Sequence, residues 1–148
     1  MPPPRRSFLH TLLAFVFAGL PISGRTGVLV PKTETANKLA DAIAVETGGQ
    51  QPAESQFIRL EAPDIAEDGS IVPITIASEL PNVYGIWVFV EKNPTPLAAR
   101  FDIGVSLDPF VSLRIKMSES CEVIAMVKSG EEYFIARKPV RVVLGGCG

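Results

Sequence analysis

Apolar and polar positions change their spacing twice along this chain. Residues 8–20 are almost continuously apolar. In residues 33–47, Ala36, Leu39, Ala40 and Ile43 recur at intervals of three and four, the stripe of an amphipathic helix, and Gly48-Gly49 supply its stop. From Phe57 onward the period becomes two. Val111, Leu113, Ile115 and Met117 alternate with Ser112, Arg114, Lys116 and Ser118, as in a half-buried strand. Phe101, Ile103 and Val105 alternate in the same way with Arg100, Asp102 and Gly104. Residues 83–90 are apolar on both faces, which predicts a central strand with Trp87 and Phe89 in the core. Further strands are predicted at 57–62, 71–77, 122–128, 132–137 and 139–144.

Turn signals separate these windows: Asp68-Gly69, Leu80-Pro81-Asn82, Asn93-Pro94-Thr95-Pro96, Asp108-Pro109 and Ser129-Gly130. Roughly seven or eight short strands at this spacing predict an all-β fold, an immunoglobulin-like antiparallel β-sandwich with one short N-terminal helix. Pro73, inside a strand window, marks an edge or a bulge at that point.

Composition narrows the chemistry. A chain of 148 residues with 47% hydrophobic and 20% charged residues is not a disordered segment, and its length suits one domain plus a targeting segment. Its only histidine, His10, lies in the N-terminal segment, so the rest of the chain cannot build a Ser-His-Asp triad, a Cys-His pair or an imidazole-ligated metal site. No metal site and no catalytic residue is expected. The formal charge of −2 falls to −4 if the first 24 residues are lost. Such a domain is a poor binder of nucleic acid or of an anionic membrane surface.

The start Arg5-Arg6-Ser7-Phe8-Leu9, the apolar run and the small residues after it form an export signal of the twin-arginine type, with Pro4 where Ser or Thr is more usual. The run is shorter than the roughly 20 residues of a membrane-spanning helix, so no membrane attachment is expected once the signal is cleaved near residues 24–27. The expected organisation is a signal peptide at 1–27, a helical segment at 28–50, a β-sandwich at 51–144 and a C-terminal arm at 145–148. The twin-arginine route carries folded proteins to the periplasm, which points to a partner assembled beforehand and exported along with this chain.

The last predicted strand runs into Gly145-Gly146-Cys147-Gly148. Four residues reach at most about 13–14 Å, and glycine frees the backbone to sample many conformations. A cysteine on such an arm is a nucleophile for another protein's pocket to receive. The competing reading is a Cys121–Cys147 disulfide, since two cysteines in an exported protein usually pair. The chain would then be a periplasmic immunoglobulin-like binding or structural domain stapled at that point.

The tail resembles the terminal Gly-Gly-Cys-Gly-Gly of the SoxY family, sulfur-carrier subunits of the Sox thiosulfate-oxidising system. The twin-arginine start, the N-terminal helix, Ala62-Pro63-Asp64-Ile65-Ala66-Glu67-Asp68-Gly69 and Glu91-Lys92-Asn93-Pro94 extend the resemblance over most of the chain. It implies a non-enzymatic carrier with sulfur or a thiosulfate adduct bound covalently at Cys147 and no other cofactor. Gly145, Gly146 and Gly148 would keep the arm slim and mobile. It further implies a heterodimer with a SoxZ-like subunit and transient docking with a Sox cytochrome, a hydrolase and a dehydrogenase. Two departures stand out: one terminal glycine replaces two, and Cys121 is additional. Replacing Arg5 and Arg6 with lysine is expected to hold the precursor in the cytoplasm, as read by cell fractionation; normal periplasmic accumulation would contradict the twin-arginine assignment.

Overall fold

The structure, a computed structural model, describes residues 32–143. The expected signal peptide, Leu144 and the 145–148 arm lie outside the described residues. Helix α1 (Lys32–Thr47) is followed by nine strands: β1 (Ala53–Glu54), β2 (Ile58–Glu61), β3 (Ile65–Ala66), β4 (Val72–Ser78), β5 (Val83–Val90), β6 (Leu97–Asp102), β7 (Phe110–Ile115), β8 (Cys121–Ser129) and β9 (Glu132–Val142). One sheet has the order β1-β9-β8-β5-β6, with β3 also alongside β9; the other is β2-β4-β7. The two short strands β1 and β3 run parallel to β9, and every other pairing is antiparallel. This is the expected immunoglobulin-like sandwich.

Alternation decides which side chains meet between the sheets. Val72, Ile74 and Ile76 of β4 pack against Ile86, Val88 and Val90 of β5 and Val123, Ala125 and Val127 of β8, all essentially buried. Strand β5 also buries its other face, as its unbroken apolar run predicts. There Trp87 and Phe89 join Ile124, Met126 and Ile135 in a second cluster beneath Leu39 and Ile43 of α1. Burying Leu39 contributes roughly 1.5–3 kcal/mol. Ala36 and Ala40, members of the same stripe, stay exposed, so α1 touches the sheet along a narrower line than its sequence suggests. The helix ends where Gly48 and Gly49 take φ of 65° and 88°, a left-handed conformation that a Cβ disfavours. Thr47 closes the turn by donating from Oγ1 to the Gln50 carbonyl at 2.7 Å.

Polar bonds fix the helix at one register. Trp87 Nε1 donates to Glu46 Oε2 at 2.7 Å, and Arg100 reaches the same oxygen at 3.2 Å while its guanidinium lies 5.3 Å from the Trp87 ring centroid. Tyr133 meets Trp87 edge-on at 5.8 Å, and its hydroxyl donates to the Glu46 carbonyl at 3.3 Å.

Two predicted features change, and the expected feature at Pro73 is found. The windows 132–137 and 139–144 are one strand, β9, running through Pro139. Arg141 and Val143 donate outward to β3 at 2.9 Å, to the carbonyls of Asp64 and Ala66, so by alternation Pro139 also faces outward. Its missing N–H would point into the gap that β1 leaves after Ile135 and β3 fills only from Arg141. Pro73 follows the same rule. It lies in the middle strand of the small sheet, yet its amide position faces β2, whose ladder stops at Thr75. The expected local edge is therefore present, without a bulge. The second change is the strand predicted around Arg100–Val105: it forms earlier, as β6, because its partner β5 offers the register Gly85↔Asp102 to Phe89↔Leu97, and the chain leaves β5 after Ile103, whose N–H still reaches the Tyr84 carbonyl at 2.9 Å.

Gly85 sits under the Trp87 indole: a Cβ there would stand 2.6 Å from Cη2 and 2.8 Å from Cζ3. Gly85→Ala is expected to displace the ring from Glu46 and to cost about 1–3 kcal/mol. A lower urea midpoint at unchanged slope would show it; an unchanged midpoint would mean that the ring is not pinned there.

Candidate functional site: the root of the C-terminal arm

The predicted site residues Gly145, Gly146, Cys147 and Gly148 lie outside the described residues; the described part of the site is the strand end from which they continue. That end is held on both sides. Val142 N–H donates to Ser120 Oγ at 2.9 Å, and the same hydroxyl donates back to the Val142 carbonyl at 3.3 Å. On the opposite edge β3 takes the outward bonds of Arg141 and Val143, and Lys138 Nζ donates to Asp64 Oδ1 at 2.6 Å. Both the hydrogen bond and the charge of Lys138 hold the exposed Asp64 carboxyl below its ordinary pKa.

Gly69 completes this clasp. Its carbonyl accepts from Met117 N–H at 2.7 Å, and a Cβ would lie 2.5 Å from the Met117 carbonyl oxygen and 2.8 Å from Val142 Cγ1. Only glycine lets the segment approach β9 so closely. Asp68 shapes the turn beside it, accepting from Ser70 N–H at 2.8 Å and Ser70 Oγ at 2.6 Å, which lowers its pKa.

The second internal segment singled out in the sequence arrives at the same place. Asn93 brackets the loop before β8, donating to the Lys116 carbonyl at 2.7 Å and accepting from Ser118 N–H at 3.0 Å. Glu91 N–H donates to the Glu122 carbonyl at 3.0 Å, and Glu122 N–H returns a bond to the Glu91 carboxylate at 3.3 Å. Residues 62–69, 91–94 and the end of β9 are far apart in sequence and together form the arm root. Ser120 and Lys138, which hold it, carried no sequence signal, because a lone serine or lysine in a strand pattern is ordinary.

Cys121 belongs to this end as the first residue of β8, opposite Val140. It is half-buried, packs against the inter-sheet core and carries no disulfide among the described residues. Burial pushes its thiol pKa up; the Lys92 backbone N–H opposes that, and Glu91 and Glu119 add to it. A thiol held protonated is a weak nucleophile at neutral pH. Beside it lies a shallow depression of about 780 Å³, lined by Asp64, Ile65, Lys92, Cys121, Pro139 and Arg141 among others.

The profile of the SoxY family, described as "Sulfur oxidation protein SoxY", matches residues 43–147. This chain belongs to the SoxY family. Its fold is similar to the structure of the sulfur carrier protein SoxY from Chlorobium limicola f thiosulfatophilum, with a TM-score of 0.70 and 37% identity over 75% of this chain and 96% of that one. A superoxide reductase (neelaredoxin) from Ignicoccus hospitalis shares the fold alone, at 18% identity and a TM-score of 0.51 over 70% of this chain and 90% of that one. No curated protein matches the sequence. The family match reaches Cys147 and includes every residue of the arm root named above.

The environment of Cys121 makes its reactivity testable. In a Cys147→Ser chain, iodoacetamide is expected to label native Cys121 at pH 8 several-fold more slowly than in urea, with the native rate rising as the pH climbs toward its raised pKa. Equal native and unfolded rates would show the thiol to be as free as in a peptide.

Proposed function

We propose that this SoxY-family chain is a non-enzymatic carrier, holding sulfur intermediates covalently on Cys147 during thiosulfate oxidation in the periplasm. The observation that carries this reading is the likeness to a sulfur carrier protein over nearly its whole length, at 37% identity. The arm root supports it: the strand end is fixed on both edges, and the four residues from Leu144 to Cys147 could carry the thiol over at most about 13–14 Å.

In this reading a c-type cytochrome joins thiosulfate to the Cys147 sulfur, forming an S–S bond and releasing one proton and two electrons to the cytochrome. A hydrolase then adds water to the terminal sulfone, releasing sulfate and a proton and leaving a persulfide on Cys147. Where present, a dehydrogenase oxidises that sulfane sulfur. The arm replaces diffusion of a reactive persulfide by delivery of a tethered one. Gly145 and Gly146 supply thin backbone for a narrow channel, and Gly148 clears the far side. The chain works as a heterodimer with a SoxZ-like subunit, exported with it by the twin-arginine route.

A Cys121–Cys147 staple remains the rival. Its supporting observation is the pairing of Cys121 with Val140, which stands seven positions before Cys147 in the sequence. Thiol titration of the unreduced mature protein separates the two readings: a free or sulfur-capped Cys147 marks the carrier, and a homogeneous internal disulfide marks the staple.

Cys147→Ser is expected to fold and to bind its partner normally while abolishing thiosulfate-dependent electron transfer in a reconstituted system; retained activity would end the carrier assignment. Valine at both 145 and 146 is expected to leave the thiol titratable and slow turnover. Turnover at the wild-type rate would remove the swinging arm and leave the carrier role standing.

A further inference from the structure

The end of the sandwich away from the arm root gathers apolar side chains that no described residue covers. Tyr84, Val105, Leu107 and Phe110 are 45%, 88%, 65% and 58% exposed, and Phe57 is 50% exposed. The strand pairings place them at the same end of the sandwich. Phe110 pairs with Ala77, Glu79 N–H donates to the Phe57 carbonyl at 2.9 Å, and Ile103 N–H donates to the Tyr84 carbonyl at 2.9 Å. Tyr84, Val105 and Leu107 border a recess of about 140 Å³ closed by Leu80, Val83 and Pro109.

Carboxylates surround this cluster. Glu79 and Asp108 flank it in the loops, and Glu131 and Glu132 stand in the turn whose Gly130 N–H donates to the Asn82 carbonyl at 3.0 Å. None of the four forms an ion pair among the described residues. The basic residues nearest this end are Arg59, opposite Ala77 in β2, and Lys128, which lies over the Tyr133 ring.

We propose that this end is where the stable partner subunit docks, and that the partner presents an apolar patch flanked by lysine or arginine. The proposal rests on the heterodimer reading above. Clustered exposed apolar groups rimmed by polar ones mark protein interfaces. A second copy of this chain is a poor occupant, because a two-fold contact sets each patch against itself and brings the unpaired carboxylates face to face. The location also leaves the arm clear. Strand β5 separates the two ends by eight residues, about 25 Å, beyond the arm's reach of about 14 Å. A subunit confined to this end would leave the described arm root uncovered.

The test measures binding of the purified SoxZ-type subunit to the full mature chain by calorimetry. Val105→Ser with Leu107→Ser is expected to raise Kd at least about tenfold with the circular-dichroism melt unchanged, since both side chains are in solvent. Asp108→Lys with Glu131→Lys is expected to slow association and flatten its salt dependence. Ile71→Ser, exposed at the arm end, serves as the control and is expected to leave Kd unaltered. A wild-type Kd for the serine double variant overturns this surface and leaves the heterodimer standing, whereas a wild-type chain that does not bind the subunit overturns both. A homodimer that the serine double variant abolishes would make a second copy the occupant and also overturn the proposal.

Discussion

A sheet that is apolar on both faces cannot stand in water, and the rest of this domain is arranged to cover it. Strand β5 and the middle of β8 bury side chains above and below. The three-stranded sheet covers one face; α1 covers the other. The helix is a marginal cover by itself, with Leu39 as the large apolar side chain it buries among the described residues. Its position is therefore set by directed contacts at Glu46, whose carboxylate takes both Trp87 and Arg100. Burial supplies most of the free energy, and these bonds select one placement among the many that burial alone would allow.

The same large sheet carries the arm. Strand β9 is paired with β8 from Glu132 to Val140, so the strand end inherits the stiffness of the sheet. Two short parallel strands, β1 and β3, cover parts of its outer edge and leave a gap where Pro139 needs no hydrogen-bond partner. The last described bond of this edge runs from Val143 N–H to the Ala66 carbonyl at 2.9 Å. In the proposed arm, the fold would set where the tail starts and the glycines would set how far the thiol travels.

The two cysteines stand in different sequence contexts. Cys121 is integrated into the core at the start of β8, where burial raises its pKa and quiets it. Cys147 follows the last strand and is flanked by glycines. A carrier needs a thiol that foreign active sites control, and a second reactive thiol within reach would compete for the bound sulfur by exchange. In the proposed carrier role, the burial that raises the Cys121 pKa would weaken that competition without removing the residue.

Much of this was legible in the sequence because its physics is local. Period-two alternation marked the strands, the unbroken run at 83–90 marked β5 as central, the paired glycines marked the end of α1, and the tail motif carried the family resemblance. The helix stripe was legible only in part, since Ala36 and Ala40 share its spacing with Leu39 and contact no core. What tertiary structure alone decided is relational. The union of 132–137 and 139–144 into one strand depended on which edge Pro139 presents, and that is a property of its neighbours β1 and β3. Asp64 on Lys138, Ser120 on Val142, and Asn93 across the loop before β8 join residues 22 to 74 positions apart. No periodicity encodes such pairs, because each partner satisfies its local pattern equally well alone; they meet only once the sheets have packed.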